Sequence, residues 1–219
     1  MKVMILAAGR GERMGHLTEN CPKPLLKVAG RPLIEHHILA LKQYGFDDFV
    51  INVAYLGDQI KSALGSGERW GVSIEYSDEG DQALETGGGI YKALPLLGDE
   101  PFLVVNADVW TDFPYDSLIK ATTKDIHLVL VNNPLHHQKG DFGLLDGVAQ
   151  LEGDELYTYS GIGVFRAAIF TQQMDGAFPL APIIRQSILS EQVSAQLYHG
   201  EWVDVGTPER LANLENKRQ

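Results

Sequence analysis

The apolar run at residues 3–8, Val-Met-Ile-Leu-Ala-Ala, breaks directly into a loop punctuated by Gly9, Gly11 and Gly15, and that junction narrows the possible folds more than any other stretch. A short apolar run without polar alternation fits a strand covered on both faces. Glycines at the strand end allow positive φ and let backbone N–H groups approach a ligand closely. Successive N–H groups in such a turn form a concavity suited to anions. Arg10 and Arg13 lie within the loop, and Lys23 sits between Pro22 and Pro24, which hold the backbone stiff on both sides. A guanidinium fork and an ammonium point charge complete a cradle for phosphate oxygens.

Two common phosphate loops are excluded. No Gly-Lys pair is followed by Ser or Thr, as a P-loop requires. In Gly9-Arg10-Gly11-Glu12-Arg13-Met14-Gly15 the third glycine falls one position too late for a dinucleotide fingerprint.

Downstream, strand and helix patterns alternate without repeats. Pro32 is expected at the first position of a helix whose buried face is Leu33, Ile34, His37, Ile38 and Leu41, ended by Gly45. Strands follow at 49–53, 72–76, 101–106 and 126–131, with helices near 58–64, 88–97 and 114–123 between them. Residues 136–151 read as a hairpin, 157–165 as a strand, 180–189 as a helix and 193–202 as mostly strand. Thr207-Pro208-Glu209 caps a last helix. This order predicts an α/β fold, a Rossmann-like, mostly parallel mixed sheet with helices on both faces. A single domain over 1–219 is expected, in two halves, 1–131 and 132–219.

Charge distribution sharpens the functional reading. The net charge is −11, yet residues 1–43 carry seven Lys and Arg against three Glu. A basic island on an acidic body suits a compact anion and argues against nucleic acid as a partner. No apolar run approaches a membrane span, no signal-peptide pattern opens the chain, and the lone Cys21 fits a reducing cytoplasm.

Two acidic residues stand where a sheet of this kind binds ligands. Asp108, in Asn106-Ala107-Asp108, follows the 102–105 apolar strand, and Asp204 precedes the last helix. Each is also an ordinary turn-capping residue. Mg²⁺ takes one or two carboxylates plus phosphate oxygens and water, so the pair suits a phosphate-bound metal. Glu85-Thr86-Gly87-Gly88-Gly89 is a second glycine cluster, read either as backbone yielding to a base and ribose or as a ligand-free loop. Glu79 and Glu85 are possible partners of that base or ribose. His136 and His137, adjacent in an extended stretch, would point to opposite faces and read as surface residues.

The run LAAGRGERM followed by PKPLL resembles the signature of the sugar-nucleotide pyrophosphorylases, a family of nucleotidyltransferases that join a sugar 1-phosphate to a nucleoside triphosphate and release pyrophosphate. The resemblance implies the nucleotide-diphospho-sugar transferase fold, with 1–131 as the nucleotide-binding half and 132–219 as the sugar-binding half. It also implies nucleotide contacts from Leu6, Ala7, Ala8, Gly9, Gly11, Glu12, Arg13, Lys23, Glu79, Gly87 and Gly88. By the same likeness Arg13, Lys23 and Asp108 act in catalysis, Asp108 and Asp204 hold Mg²⁺, and Asn106, Asp141 and Gly161 face the sugar.

One departure stands out. The Glu-Lys-Pro motif of many hexose members has no counterpart in Gly153-Asp154-Glu155-Leu156-Tyr157, which counts against an ordinary glucose 1-phosphate enzyme. ETGGGIYKALPLL, NADVWTD, HHQKGDFGLL and WVDVGTPERL look most like the bacterial branch that uses UTP and N-acetylmuramic acid α-1-phosphate in peptidoglycan recycling. Lys139, Arg166 and Arg185 are candidates for that sugar's lactyl carboxylate. Other sugar 1-phosphates with GTP, CTP or dTTP, or a non-catalytic sugar-nucleotide sensor, remain alternatives. A monomer or homodimer without a membrane partner is expected.

Overall fold

The computed structural model describes residues 1–119 and 124–218. A nine-stranded sheet carries the architecture. Its strands in chain order begin with β1 (Val3–Leu6); the short hairpin β2 (Lys27–Val28) and β3 (Arg31–Pro32) stands apart from the sheet. Helix α1 (Leu33–Gln43) leads to β4 (Asp48–Val53), α2 (Gly57–Leu64) to β5 (Ser73–Asp78), and α3 (Glu85–Leu97) to β6 (Phe102–Asn106). Then come β7 (Val109–Thr111), α4 (Asp116–Ile119), β8 (Ile126–Val131), the hairpin β9 (Phe142–Leu145) and β10 (Val148–Gln150), and the long β11 (Leu156–Phe165). Helix α5 (Ala181–Leu189), β12 (Val193–Tyr198), β13 (Trp202–Asp204) and α6 (Pro208–Arg218) complete the described chain. The end of the helix expected near 114–123 falls at 120–123, outside the described residues.

The sheet order is β5-β4-β1-β6-β11-β8-β12-β10-β9. Strands β5, β4, β1 and β6 are mutually parallel, as are β8 and β12, while β11 runs antiparallel between β6 and β8. The mostly parallel mixed sheet is thus as expected. Its first strand shows why the apolar run carries no alternation. Val3 and Ile5 pack into one core with Ile34, Ile38 and Leu41 of α1 and Ile60 and Leu64 of α2. Met4 packs into the opposite core with Ile90 and Ala93 of α3 and Ile183, Ile184 and Ile188 of α5. Helices therefore cover both faces. A third apolar cluster joins Met14 and Leu26 to Val205 and Leu214, so α6 folds back onto the loop that follows β1.

Three local expectations are corrected. Pro32 is not inside α1 but just ahead of it; paired with Lys27 across the β2–β3 hairpin, it keeps an extended ψ of 141°. The second glycine cluster is not a loop, because α3 already begins at Glu85 and contains all three glycines. His136 and His137 lie in a turn between β8 and β9 instead of an extended segment.

Candidate active site

The carboxyl ends of β1, β4 and β6 open onto a cleft of about 460 Å³. Leu6, Ala7, Ala8, Gly9, Gly11, Glu12, Arg13 and Lys23 all line it, together with Arg10, Asn52, Glu79, Glu85, Thr86, Asn106 and Asp108. The loop's shape has a local cause. Gly11 sits at φ 70°, and a β-carbon there would press on Lys23 Cβ and Thr18 Cγ2, both at 3.1 Å. Thr18 Oγ1 donates to the Gly11 and Gly15 carbonyls at 2.9 and 3.2 Å, which pins the loop closed. Ala8, Gly9, Arg10 and Gly11 donate no backbone hydrogen bond to protein among the described residues, so their N–H groups are available to an anion.

Lys23 forms a single 3-10 turn with Pro24 and Leu25, is only 7% exposed, and pairs through Nζ with Asp108 Oδ2. A charge so deeply buried requires such a partner. The paired side chains bring the loop after β1 and the end of β6 together.

A second cleft, of about 380 Å³, adjoins the first. Its walls include Val109, His136, His137, Thr158, Tyr159, Ser160, Gly161, Trp202 and Asp204. Arg13, Asn106 and Asp108 line both clefts and form the wall between them. Asp204 reaches this place through a two-stranded ribbon that sequence reading missed. Strand β13 pairs antiparallel with β7, setting Asp204 opposite Val109, and Val205 N–H donates to the Asp108 carbonyl at 2.8 Å. Asp108 and Asp204 are thus neighbours on one cleft, brought there from well-separated parts of the sequence.

Asp204 is held by Arg210 Nη1 and His136 Nε2, each 3.3 Å from its Oδ2. A β-carbon on Gly206 would lie 2.2 Å from Arg210 Nη2, 2.8 Å from Asp204 Oδ1 and 3.0 Å from Arg13 Nη2, which accounts for glycine at this position. Among the described residues no group of three His, Cys, Asp or Glu side chains is placed to hold a metal alone. Two carboxylates beside a loop with unpaired N–H groups are the oxygen donors Mg²⁺ favours, alongside phosphate and water.

His37 of α1 lies behind this wall, and burial pushes its imidazole down to about 4. A hydrogen bond to the Val109 backbone and the nearby Asp108 charge oppose the shift without reversing it.

Several sequence-derived candidates have other work. Glu79 lines the first cleft, but Oε1 accepts from Asn52 Nδ2 and Oε2 from the Leu84 N–H, both at 2.7 Å. Asn52 in turn accepts the Ala7 N–H at 2.8 Å, so Asn52 and Glu79 tie the β1 end to the start of α3. Gly87 and Gly88 do not line either cleft. A β-carbon on Gly87 would come within 2.6 Å of the Phe178 ring, and one on Gly88 within 2.2 Å of the Gly176 carbonyl. These glycines are small because another chain segment lies on them. Thr86 and Glu85, the latter at φ 57°, face the cleft in their place.

On the other side, Asp141 is not part of the cleft wall. Its Oδ1 is 2.9 Å from His137 Nε2 and its Oδ2 accepts the Tyr159 N–H at 2.8 Å. Gly161 lines the second cleft at φ 78°, where a β-carbon would strike the Asn106 amide at 2.6 Å. Lys139, Arg166 and Arg185 line neither cleft. Arg185 lies 5.6 Å from the Phe142 ring centre, and Arg166 follows the end of the interior strand β11 that lies away from the clefts. Sequence reading overlooked Asn52, Trp202 and Arg210 and dismissed the two histidines. The only cue for Trp202 and Arg210 was their closeness to Asp204.

A family model described as Nucleotidyl transferase matches residues 2–152. The chain is 49% identical to an N-acetylmuramate alpha-1-phosphate uridylyltransferase of Neisseria meningitidis serogroup B, over 98% of this chain and 97% of that protein. It is 35% identical to a protein of the same name from Caulobacter vibrioides, over 94% and 92% of the two chains. Its fold is similar to a Bacillus anthracis structure solved with a sucrose, with a TM-score of 0.88 at 21% identity, over 100% of this chain and 95% of that one.

Proposed function

The chain belongs to the nucleotidyl transferase family, and from that membership we propose that it transfers UMP from UTP to N-acetylmuramic acid α-1-phosphate, giving the UDP-sugar and pyrophosphate. One observation carries the reading: two clefts meet at Arg13, Asn106 and Asp108. One is walled by a backbone loop suited to a triphosphate, the other by hydroxyl, imidazole and indole groups suited to a sugar. The near full-length similarity to the Neisseria protein supports the choice of sugar and nucleotide.

In this reading a sugar 1-phosphate oxygen attacks the α-phosphorus of UTP. The new P–O bond forms as the bond to the β-phosphate bridging oxygen breaks, and pyrophosphate leaves with the electron pair. A phosphate oxygen is already ionised at neutral pH, so no protein nucleophile is needed. The loop N–H groups orient the triphosphate, and Arg13 faces both substrates at the junction. Lys23 supplies a fixed positive charge where the crowded oxygens meet; two unit charges about 4 Å apart repel by roughly 4 kcal/mol at an effective dielectric of 20. Catalysis is then alignment and charge neutralisation. Asp108 and Asp204 would hold Mg²⁺, which neutralises phosphate charge and orients the reacting group. The setting we propose is the cytoplasm, in the re-use of peptidoglycan sugars.

The test is pyrophosphate release with UTP, GTP, CTP and dTTP against a panel of sugar 1-phosphates, with and without Mg²⁺. The expected result is Mg²⁺-dependent turnover of UTP with the muramic substrate above all other pairs. Preference for mannose or heptose 1-phosphate would reassign the sugar, and turnover undiminished by chelation would remove the metal.

A further inference from the structure

We infer that His137 recognises the lactyl carboxylate that distinguishes N-acetylmuramic acid from N-acetylglucosamine, with Asp141 as its positioning residue. The inference rests on the substrate reading above. That sugar carries two anionic groups, and the reacting phosphate engages only one end of the cleft. The side chains lining the second cleft that can carry positive charge are Arg13, His136 and His137. Arg13 lies on the wall shared with the nucleotide cleft, beside Gly206 and Asp204. His136 is tied at 3.3 Å to Asp204, which the metal reading sets at the reacting phosphate and not at the far end of the sugar. His137 is left.

Its geometry suits a carboxylate. Nε2 is 2.9 Å from Asp141 Oδ1, and the Tyr159 N–H fixes the other Asp141 oxygen at 2.8 Å. The ring is thereby oriented from behind, as a carboxylate orients a metal-binding histidine. Nδ1 has no protein partner among the described residues, and the side chain is 39% exposed. With Nε2–H donating to Asp141, a second proton on Nδ1 makes the ring a charge-assisted donor toward a carboxylate. Asp141 offsets the imidazolium charge. A sugar with a plain hydroxyl in place of the lactyl ether gains nothing comparable, so the device selects between two otherwise identical rings.

The experiment compares kcat/KM for N-acetylmuramic acid 1-phosphate and N-acetylglucosamine 1-phosphate at saturating UTP. In His137→Ala the value for the muramic substrate should fall roughly 10- to 100-fold, mainly through KM, while that for the other sugar changes less than about threefold. Asp141→Asn should shift the same ratio in the same direction by less, again through KM. His137→Gln and a thermal melt guard against simple misfolding. Equal loss for both sugars, or a selectivity ratio unchanged in both His137 variants, overturns the inference. So does a selective loss in Lys139→Ala that His137→Ala lacks. A wild-type protein that turns over both sugars equally sinks the substrate assignment and this inference with it, whereas a selective wild type beside selective His137 variants sinks the inference alone.

Discussion

The two clefts are built differently although they share a wall. The first is walled largely by consecutive backbone, residues 6–13, completed by Lys23 and the ends of parallel strands. The second is assembled from β6, the turn at 136–137, the start of β11 and β13, elements far apart in sequence. A site made of neighbouring residues holds its form by local means, here glycine φ angles and the Thr18 hydroxyl. A site made of distant side chains depends on the whole sheet closing correctly. The division also fits the proposed chemistry. Each reaction of this class takes a nucleoside triphosphate, whereas the sugar 1-phosphate varies, and variation is easier where each wall residue belongs to a separate element.

The shared wall is where that contrast can be broken most decisively. Asp108→Asn should lower turnover on the order of a thousandfold while the melting temperature stays close to wild type. Retained Mg²⁺-dependent activity would show that the two clefts do not meet at a metal. Lys23→Ala comes next, with kcat falling roughly 100- to 1,000-fold and UTP affinity changing only a few-fold. A matched loss of both would make Lys23 an ordinary anchor of the first cleft.

His37 probes the ground beneath both clefts through stability. Its folded pKa, about 4, lies below the ordinary histidine value of 6.5. Between those values the unfolded chain binds more protons, so the contribution is fully present above pH 6.5 and is lost as pH falls toward 4. The loss amounts to roughly 3 kcal/mol. Urea melts at pH 7 and pH 4.5 should show a pH dependence that flattens in His37→Gln; an identical slope in both proteins would show that His37 does not set it.

The smallest effect separates packing from binding on the nucleotide side. Gly88→Ala should cost about 1–3 kcal/mol of stability, because Gly176 must move, with little change in UTP affinity. Loss of UTP binding at unchanged stability would return that glycine to the ligand.

How far the chain could be read beforehand follows the same division. The β1 strand, the loop after it and the buried face of α1 were legible because each is a pattern among close neighbours. Gly87 and Gly88 were open to a ligand-facing or a loop reading because a glycine run signals close approach or freedom; nothing local reveals that 176–178 lies on them. The histidines are surface residues, as read, but the turn that carries them sets both on one cleft instead of on opposite faces. Asp204 and Asp108 were paired by metal chemistry and family likeness and not by local pattern, since β7 and β13 are three residues each and too short to show a period. Asp141, expected as a sugar contact, lies outside both cleft linings and is hydrogen-bonded to His137 and to the Tyr159 N–H.

Met14, just past the phosphate-facing loop, packs with Val205 and Leu214 of the closing segment. During synthesis, at roughly 5–20 residues per second, this loop therefore emerges well before the segment that buttresses it. A nascent chain can complete most of its sheet while the loop after β1 still lacks the apolar support of α6.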